Sequence, residues 1–392
     1  MTRALALCGL LLLLGGCSTA VEQDTKRTSE ATPVKPVRAV QVDLDYVYDE
    51  NPAQEASNLD ALVVRMRALR VNTIFLQAFA DPKGTGLASA LYFPNRHLPM
   101  RKDLFKHVAQ ELASRADVEV YGWLPVLSFD FKGDVAPVLA WNPGSDEAKR
   151  DAKAYRRVSP FDEKGRKRIA EIYEDLAENA PIKGLLFHDD ALLSDFEDAS
   201  EPALKAYEAA GLPPSIRTIR DNPDLMQRWT DYKTSSLISF THELASRARQ
   251  YRDPLKTARN IYAPIALIPA RETWFAQNYG RFCEAYDYTA VMAMPALENI
   301  PDAEANAWLR KLVSAASHQP EGLNRTIFEL QTVDWRKGER DANRSIPPAR
   351  IAAQMRLLLD HGAINLAYYP DDFIRDRPST IALNQEFSPP TD

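Results

Sequence analysis

The sequence predicts an α/β fold, a closed (β/α)8 barrel of the TIM type with long loops on its C-terminal face. Three observations carry this prediction: eight apolar, β-rich runs recur along the chain, amphipathic helical stretches lie between them, and several connections after the runs are long. Near-continuous apolar strands alternating with helices belong in a parallel sheet covered on both sides. Eight repeats, with no glycine-rich phosphate loop after the first strand, favour a closed barrel over an open doubly wound sheet.

The chain opens with Arg3, an apolar stretch from Ala4 to Leu14, and Leu14-Gly15-Gly16-Cys17. A short positive region, a hydrophobic core below membrane-spanning length and a small-residue site ending in cysteine read as a lipoprotein signal over residues 1–16. Its resemblance to a lipobox implies cleavage before Cys17 and lipidation there, hence a membrane partner reached through the lipid. Ser18, where an Asp would signal inner-membrane retention, favours the periplasmic face of the outer membrane. Residues 17–36 are polar, carry Pro33 and Pro36, and read as a flexible tether. Residues 37–375 are sized for one barrel, and 376–392 are expected to be a C-terminal tail. Cys8 leaves with the signal and Cys17 carries lipid, so Cys283 alone remains and no internal disulfide is expected.

The eight runs are Arg38–Tyr48, Asn72–Asp81, Glu119–Phe129, Gly184–Asp190, Asn260–Leu267, Tyr286–Pro295, Arg325–Trp335 and Ile364–Asp372. Between them, Ile169, Ile172, Tyr173 and Leu176 keep helical spacing, as do Ile351, Met355, Leu358 and Leu359, with Gly362 as a C-terminal cap. The connections Pro82–Arg101, Asp130–Pro160 and Ala191–Asp221 follow strands, and in this fold such loops build the active face.

The formal net charge of −6 and the lack of a long Lys/Arg run argue against a nucleic-acid partner. An acidic protein suits a cationic or neutral ligand. Polar residues expected at the C-terminal strand ends are Asp43, Asp45, Gln77, Asp81, His188, Asp189, Asp190, Glu329, Gln331, Asp371 and Asp372. Buried carboxylates are costly unless paired, so their recurrence at the ends of apolar strands points to a shared cavity.

The densest cluster is HDDALLSDFEDAS, His188 to Ser200, which holds five carboxylates after the apolar GLLF. Neighbouring strand residues point to opposite faces, so Asp189 and Asp190 both reach one ligand only where the strand bends. One is expected to do chemistry and the other to orient it, with His188 as a hydrogen-bond partner. A close carboxylate pair raises one pKa, as a general acid for glycosidic cleavage requires. The scattered histidines form no HExxH or HxxxH pair, and there is no GxSxG elbow. Neither a metal site, nor another cofactor, nor a serine nucleophile is therefore expected. Tyr46, Tyr48, Phe79, Trp123, Phe129, Trp274, Trp335, Tyr368 and Tyr369 could stack on sugar rings, with Trp123, Trp335 and Tyr369 best placed beside acidic residues.

At HDDALLSDFEDAS and across QVDLDYVYDENPAQEASNLDALVVRMRALRVNTIFLQAFADPKGTG, the sequence resembles the C-terminal barrel of periplasmic poly-β-1,6-N-acetylglucosamine N-deacetylases (glycoside hydrolase family 153). The likeness runs from about Arg38 to Phe373. It implies endo-hydrolysis of a partially deacetylated exopolysaccharide of biofilms by an acidic groove, with the polymer's export machinery as a further partner. The family's fourth-strand acids map onto Asp189, Asp190 and Asp195, and its first-strand acids onto Asp43 and Asp45. Those proteins carry an N-terminal metal-dependent deacetylase domain, whereas here a tether leads straight into the barrel. Cleavage through Asp189 and Asp190 is therefore expected ahead of non-catalytic polymer binding, and deacetylation last.

Overall fold

The computed structural model describes residues 35–338 and 344–387. Cys17 and the signal segment lie outside the described residues. Eight parallel strands close into a barrel in sequential order: β1 (Arg38–Val42), β2 (Thr73–Gln77), β3 (Glu119–Leu124), β4 (Gly184–Phe187), β5 (Lys256–Tyr262), β6 (Tyr288–Ala293), β7 (Thr326–Gln331) and β8 (Asn365–Tyr369). The last strand pairs with the first through Arg38–Leu366 to Val40–Tyr368, which removes any free sheet edge. All residues of β1, β2 and β7 are buried, as expected of strands covered on both faces. Gly184 is needed where it stands, because a Cβ there would lie 2.4 Å from the Tyr121 ring that fills the lumen beside it.

Helices follow the strands and form the outer layer. Pro52–Ala68 starts with Asn51 accepting from the amide of Ala53 and with Pro52 in its first turn. In Glu163–Asn179, Asp162 caps the amide of Gly165, and Ile169, Ile172, Tyr173 and Leu176 are buried at the predicted spacing. Pro348–Asp360 buries Ile351, Met355 and Leu358, while Leu359 is half-buried. Gly362 ends it at φ +99, with its amide bonded to the carbonyl of Leu359.

Two boundaries differ from the sequence expectation. The fifth strand is Lys256–Tyr262, not Asn260–Leu267, and Ala263–Leu267 is a short helix with Pro264 in its first turn. Proline has no amide to give a sheet ladder, so the apolar run APIAL leaves the barrel there. The polar front of the strand hides its burial: the Arg259 guanidinium donates to the Tyr286 hydroxyl and the Ala191 carbonyl and lies over the Phe282 ring. The expected tail is also corrected, because Thr380–Phe387 is a helix that buries Leu383 and Phe387, the latter with its ring 5.4 Å from Tyr368. It completes the outer layer.

The three long connections do follow β2, β3 and β4. The third holds two helices, Glu201–Ala209 and Ile216–Arg220, whose Ala203, Tyr207, Ile216 and Ile219 form a small separate core with Trp229 of the following helix, Pro223–Arg249. The second holds an antiparallel ribbon, Ala140–Asn142 with Glu147–Lys149.

Candidate active site

The C-terminal ends of the strands enclose a cleft of 780 Å³. Side chains two apart on a strand share a face, so Gln41 and Asp43 of the first strand and its extension both enter it. Gln77 ends β2, Trp123 lies opposite it on β3, and Glu329 and Tyr369 come from β7 and β8.

The chain past β4 does not bring Asp189 and Asp190 to one ligand, as their pairing in the chemistry would require. The β4 ladder stops at Phe187, and beyond it His188 and Asp189 line the cleft while Asp190 turns away. Asp189 accepts from the Tyr262 hydroxyl at 2.6 Å and from the Tyr155 hydroxyl at 3.3 and 3.4 Å. His188 Nε2 lies 3.0 Å from Asp189 Oδ1, and its Nδ1 lies 3.4 Å from Asp190 Oδ1. Burial alone would lower the histidine pKa, but Asp189, Asp190 and Asp81 together push it up to about 9. An imidazolium therefore sits between two carboxylates, packed by Phe79, Trp123 and Tyr155.

Glu329 is fully buried, and burial followed by the nearby charge of Asp189 pushes its pKa up to about 8. One oxygen accepts from Asn260 at 3.0 Å, and the other has no partner. Asp43 is raised to about 7 by burial and then by Asp45, with the Tyr369 hydroxyl donating to it at 3.3 Å. Asp45 lines the wall but is engaged by the Tyr92 hydroxyl, Arg101 and the Asp81 amide. Asp81 closes its own turn by accepting from the amides of Thr85 and Gly86. Gly86 has φ +68, and a Cβ on it would lie 2.5 Å from the Tyr155 ring, so this turn can close against Tyr155 only with glycine there.

Trp123, Tyr369 and Trp335 make a connected aromatic surface, with ring centroids 5.6 Å and then 6.2 Å apart, and Tyr46 and Phe79 add to the lining. Gln41 Oε1, Gln77 Oε1, Trp123 Nε1 and Glu329 Oε1 are buried polar atoms of this lining without a hydrogen-bond partner. Unpaired buried polar groups are costly, and their gathering in one cleft fits a ligand rich in hydroxyl and amide groups. Among the described residues no group of three or more His, Cys, Asp or Glu side chains is placed to hold a metal ion.

Of the residues singled out in the sequence, Asp43, Asp45, Tyr46, Gln77, Asp81, Trp123, His188, Asp189, Glu329, Trp335 and Tyr369 line the cleft. Three acids do not. Asp190 is fully buried and accepts from the amides of Val126, Leu127 and Ser128, so its oxygens hold the end of β3 rather than face a ligand. Asp195 is paired with Arg220 in the following loop. Asp371 is buried against Arg65 and accepts from the Tyr368 hydroxyl, which ties β8 to the helical layer. Gln331 builds the wall by accepting from the amides of Ala296 and Leu297.

Sequence reasoning missed Gln41, Tyr155, Asn260 and Tyr262. Asn260 and Tyr262 become visible once the fifth strand ends at Tyr262, because they then occupy its C-terminal end like the other site residues. Tyr155 sits in a polar loop whose pattern gives no signal.

A closed parallel barrel with a buried, proton-holding carboxyl and a second carboxyl in one sugar-sized, aromatic-lined cleft defines a glycoside hydrolase. Residues 41–369 match hypothetical glycosyl hydrolase family 13, and the chain belongs to that family. It is 43% identical over 354 residues to the poly-beta-1,6-N-acetyl-D-glucosamine N-deacetylase of Escherichia coli (strain K12). That match covers 90% of this chain and 52% of the relative, so the chain spans about half the length of the curated relatives it matches. The glycoside hydrolase domain of PgaB (BpsB) from Bordetella bronchiseptica is similar at 45% identity with a TM-score of 0.83, over 91% of this chain and all of that one. Alpha-L-fucosidase isoenzyme 2 from Paenibacillus thiaminolyticus, at 13% identity and a TM-score of 0.61 over 90% of this chain and 49% of its own, shares the fold.

Proposed function

We propose that this hydrolase cuts within chains of partially deacetylated poly-β-1,6-N-acetyl-D-glucosamine, with Glu329 as the acid and Asp189 as the carboxylate facing the anomeric carbon. One arrangement carries the reading: Glu329, buried with its pKa pushed up to about 8, stands in the cleft where two phenols and an imidazolium converge on Asp189. Glycosidic cleavage needs a protonated carboxyl to donate to the leaving oxygen and a negative group against the oxocarbenium-like centre. Asp190, expected beside Asp189 in that chemistry, instead holds the β3 end and, through His188, the orientation of the site.

The substrate rests on the polymer named for the Escherichia coli relative and on the lining. Asp43, Asp45 and Asp81 make one side acidic, suited to the ammonium groups of glucosamine, and the Trp123–Tyr369–Trp335 surface suits sugar C–H faces. The cleft opens at the barrel mouth, and a second cavity adjoins it at Tyr155 and Tyr262, which leaves room for a chain to extend beyond the sugars in the cleft. Incubation of the protein with partially deacetylated polymer should release new reducing ends, and fully acetylated polymer should be cut more slowly. Tight binding without new ends would mean that the barrel guides the polymer without cutting it.

The leader motif supports a lipid on Cys17 and a place at the periplasmic face of the outer membrane, and the likeness to the polymer's deacetylase supports the export machinery as a neighbour. Cys17→Ala should release the protein from membranes in detergent-free extracts, and a variant still sedimenting with them would remove the lipid anchor.

A further inference from the structure

A second cavity, of 880 Å³, adjoins the cleft and shares Asp81, Pro82, Lys83, Tyr155 and Tyr262 with it. Its charge is opposite. Lys83, Lys153 and Arg156 are exposed around it, and Arg157 backs it. Of its two carboxylates, Asp130 takes Lys132 at 2.7 Å and Arg156 at 3.3 Å, while Asp81 keeps its charge and accepts from the amides of Thr85 and Gly86. Arg157 is neutralised by Glu197. Lys83 and Lys153 form no ion pair among the described residues, so two unpaired cations line one cavity in a protein of net charge −6. With four cations to two carboxylates, the lining of this cavity carries a positive excess that favours an anion.

We infer that this cavity is an anion-binding site, formed by Lys83, Lys153 and Arg156, that takes a carboxylate or phosphate group beside the cleft. The hydroxyls of Thr85 and Ser89 line the same cavity and can donate to such a group. The anion has two sources, a substituent carried on the sugar chain where it passes Tyr155 and Tyr262, or a free ion. The second needs nothing from the proposed polysaccharide cleavage, whereas the first rests on it.

Two arms separate them. Inorganic phosphate is titrated into the protein at constant ionic strength against chloride, with binding followed calorimetrically. Wild type should bind phosphate on the order of tenfold more tightly than the double variant Lys83→Gln, Lys153→Gln, whose exposed positions leave folding intact. Equal affinity of the two proteins, or none above chloride, would overturn the site whether or not the enzyme cuts the polymer. In the second arm, carboxymethylated and unmodified glucosamine chains are compared as substrates. A several-fold higher kcat/KM for the carboxymethylated chain that vanishes in the double variant assigns the anion to the chain. Phosphate binding without that preference assigns it to a free ion and supports the site equally. A protein that cuts neither chain yet binds phosphate through the two lysines refutes the hydrolytic reading and keeps this one.

Discussion

Tyr262, the last residue of β5, donates its hydroxyl to Asp189 at 2.6 Å, reaching a residue that stands just beyond the end of β4. Two neighbouring strands thus place a neutral donor on the carboxylate assigned to the anomeric carbon. Hydrogen bonds to charged groups are worth about 1.5–3 kcal/mol. Tyr262→Phe keeps the ring against Phe275 and removes only the donor. It should lower kcat by roughly 10- to 100-fold with a small change in KM, read from initial rates on partially deacetylated polymer.

The pH profile follows from Glu329. Its folded pKa of about 8 lies above the ordinary 4.5, so the acid is protonated and competent below about pH 8 and is lost as the pH rises through that value. The same shift acts on stability. The folded state holds this proton more tightly, so the associated stability is complete below pH 4.5 and is lost as the pH rises through about 8. Glu329→Gln should abolish the alkaline limb together with most activity, yet melt higher than wild type at pH 9. Thermal denaturation at pH 5 and pH 9 tests this, and a variant that gains nothing at the higher pH contradicts the raised pKa.

Asp190 and Asp189 should separate in opposite senses. Asp190→Ala leaves three buried amides without an acceptor, at a cost of at least about 3 kcal/mol. Asp189→Asn keeps the side chain's shape and one oxygen for the Tyr262 and Tyr155 hydroxyls, and should cost less than Asp190→Ala. Chemical denaturation of the two variants measures the difference, and equal stabilities would mean that Asp190 does not hold the β3 end.

The barrel was legible because its strands are covered on both faces and therefore read as apolar runs with helices between them. It blurred where side chains are buried for reasons other than apolarity. Arg259 hides the front half of β5 because its charge is satisfied inside the protein by Tyr286 and Ala191. The acids were legible as a group and not as individuals. Asp189, Asp190, Asp195 and Asp371 look alike in the sequence, and only the partner decides each role: phenols for Asp189, amides for Asp190, Arg220 for Asp195 and Arg65 for Asp371. Glu329 was visible among the strand-end acids, but its proton-holding character depends on burial and on Asp189, which no spacing reveals.

The division of labour between Glu329 and Asp189 is tested most directly by counting new reducing ends from partially deacetylated polymer, across pH, for wild type, Asp189→Asn and Glu329→Gln. General acid–base catalysis contributes on the order of 10²- to 10⁴-fold, so both variants should fall by at least about 10²-fold while still binding the polymer. The residual activity of Asp189→Asn should carry an alkaline limb displaced to lower pH, because burial still raises the Glu329 pKa but the added push of the Asp189 charge is gone. Wild-type rates in either variant, or an alkaline limb that persists unchanged in Glu329→Gln, would contradict the assignment.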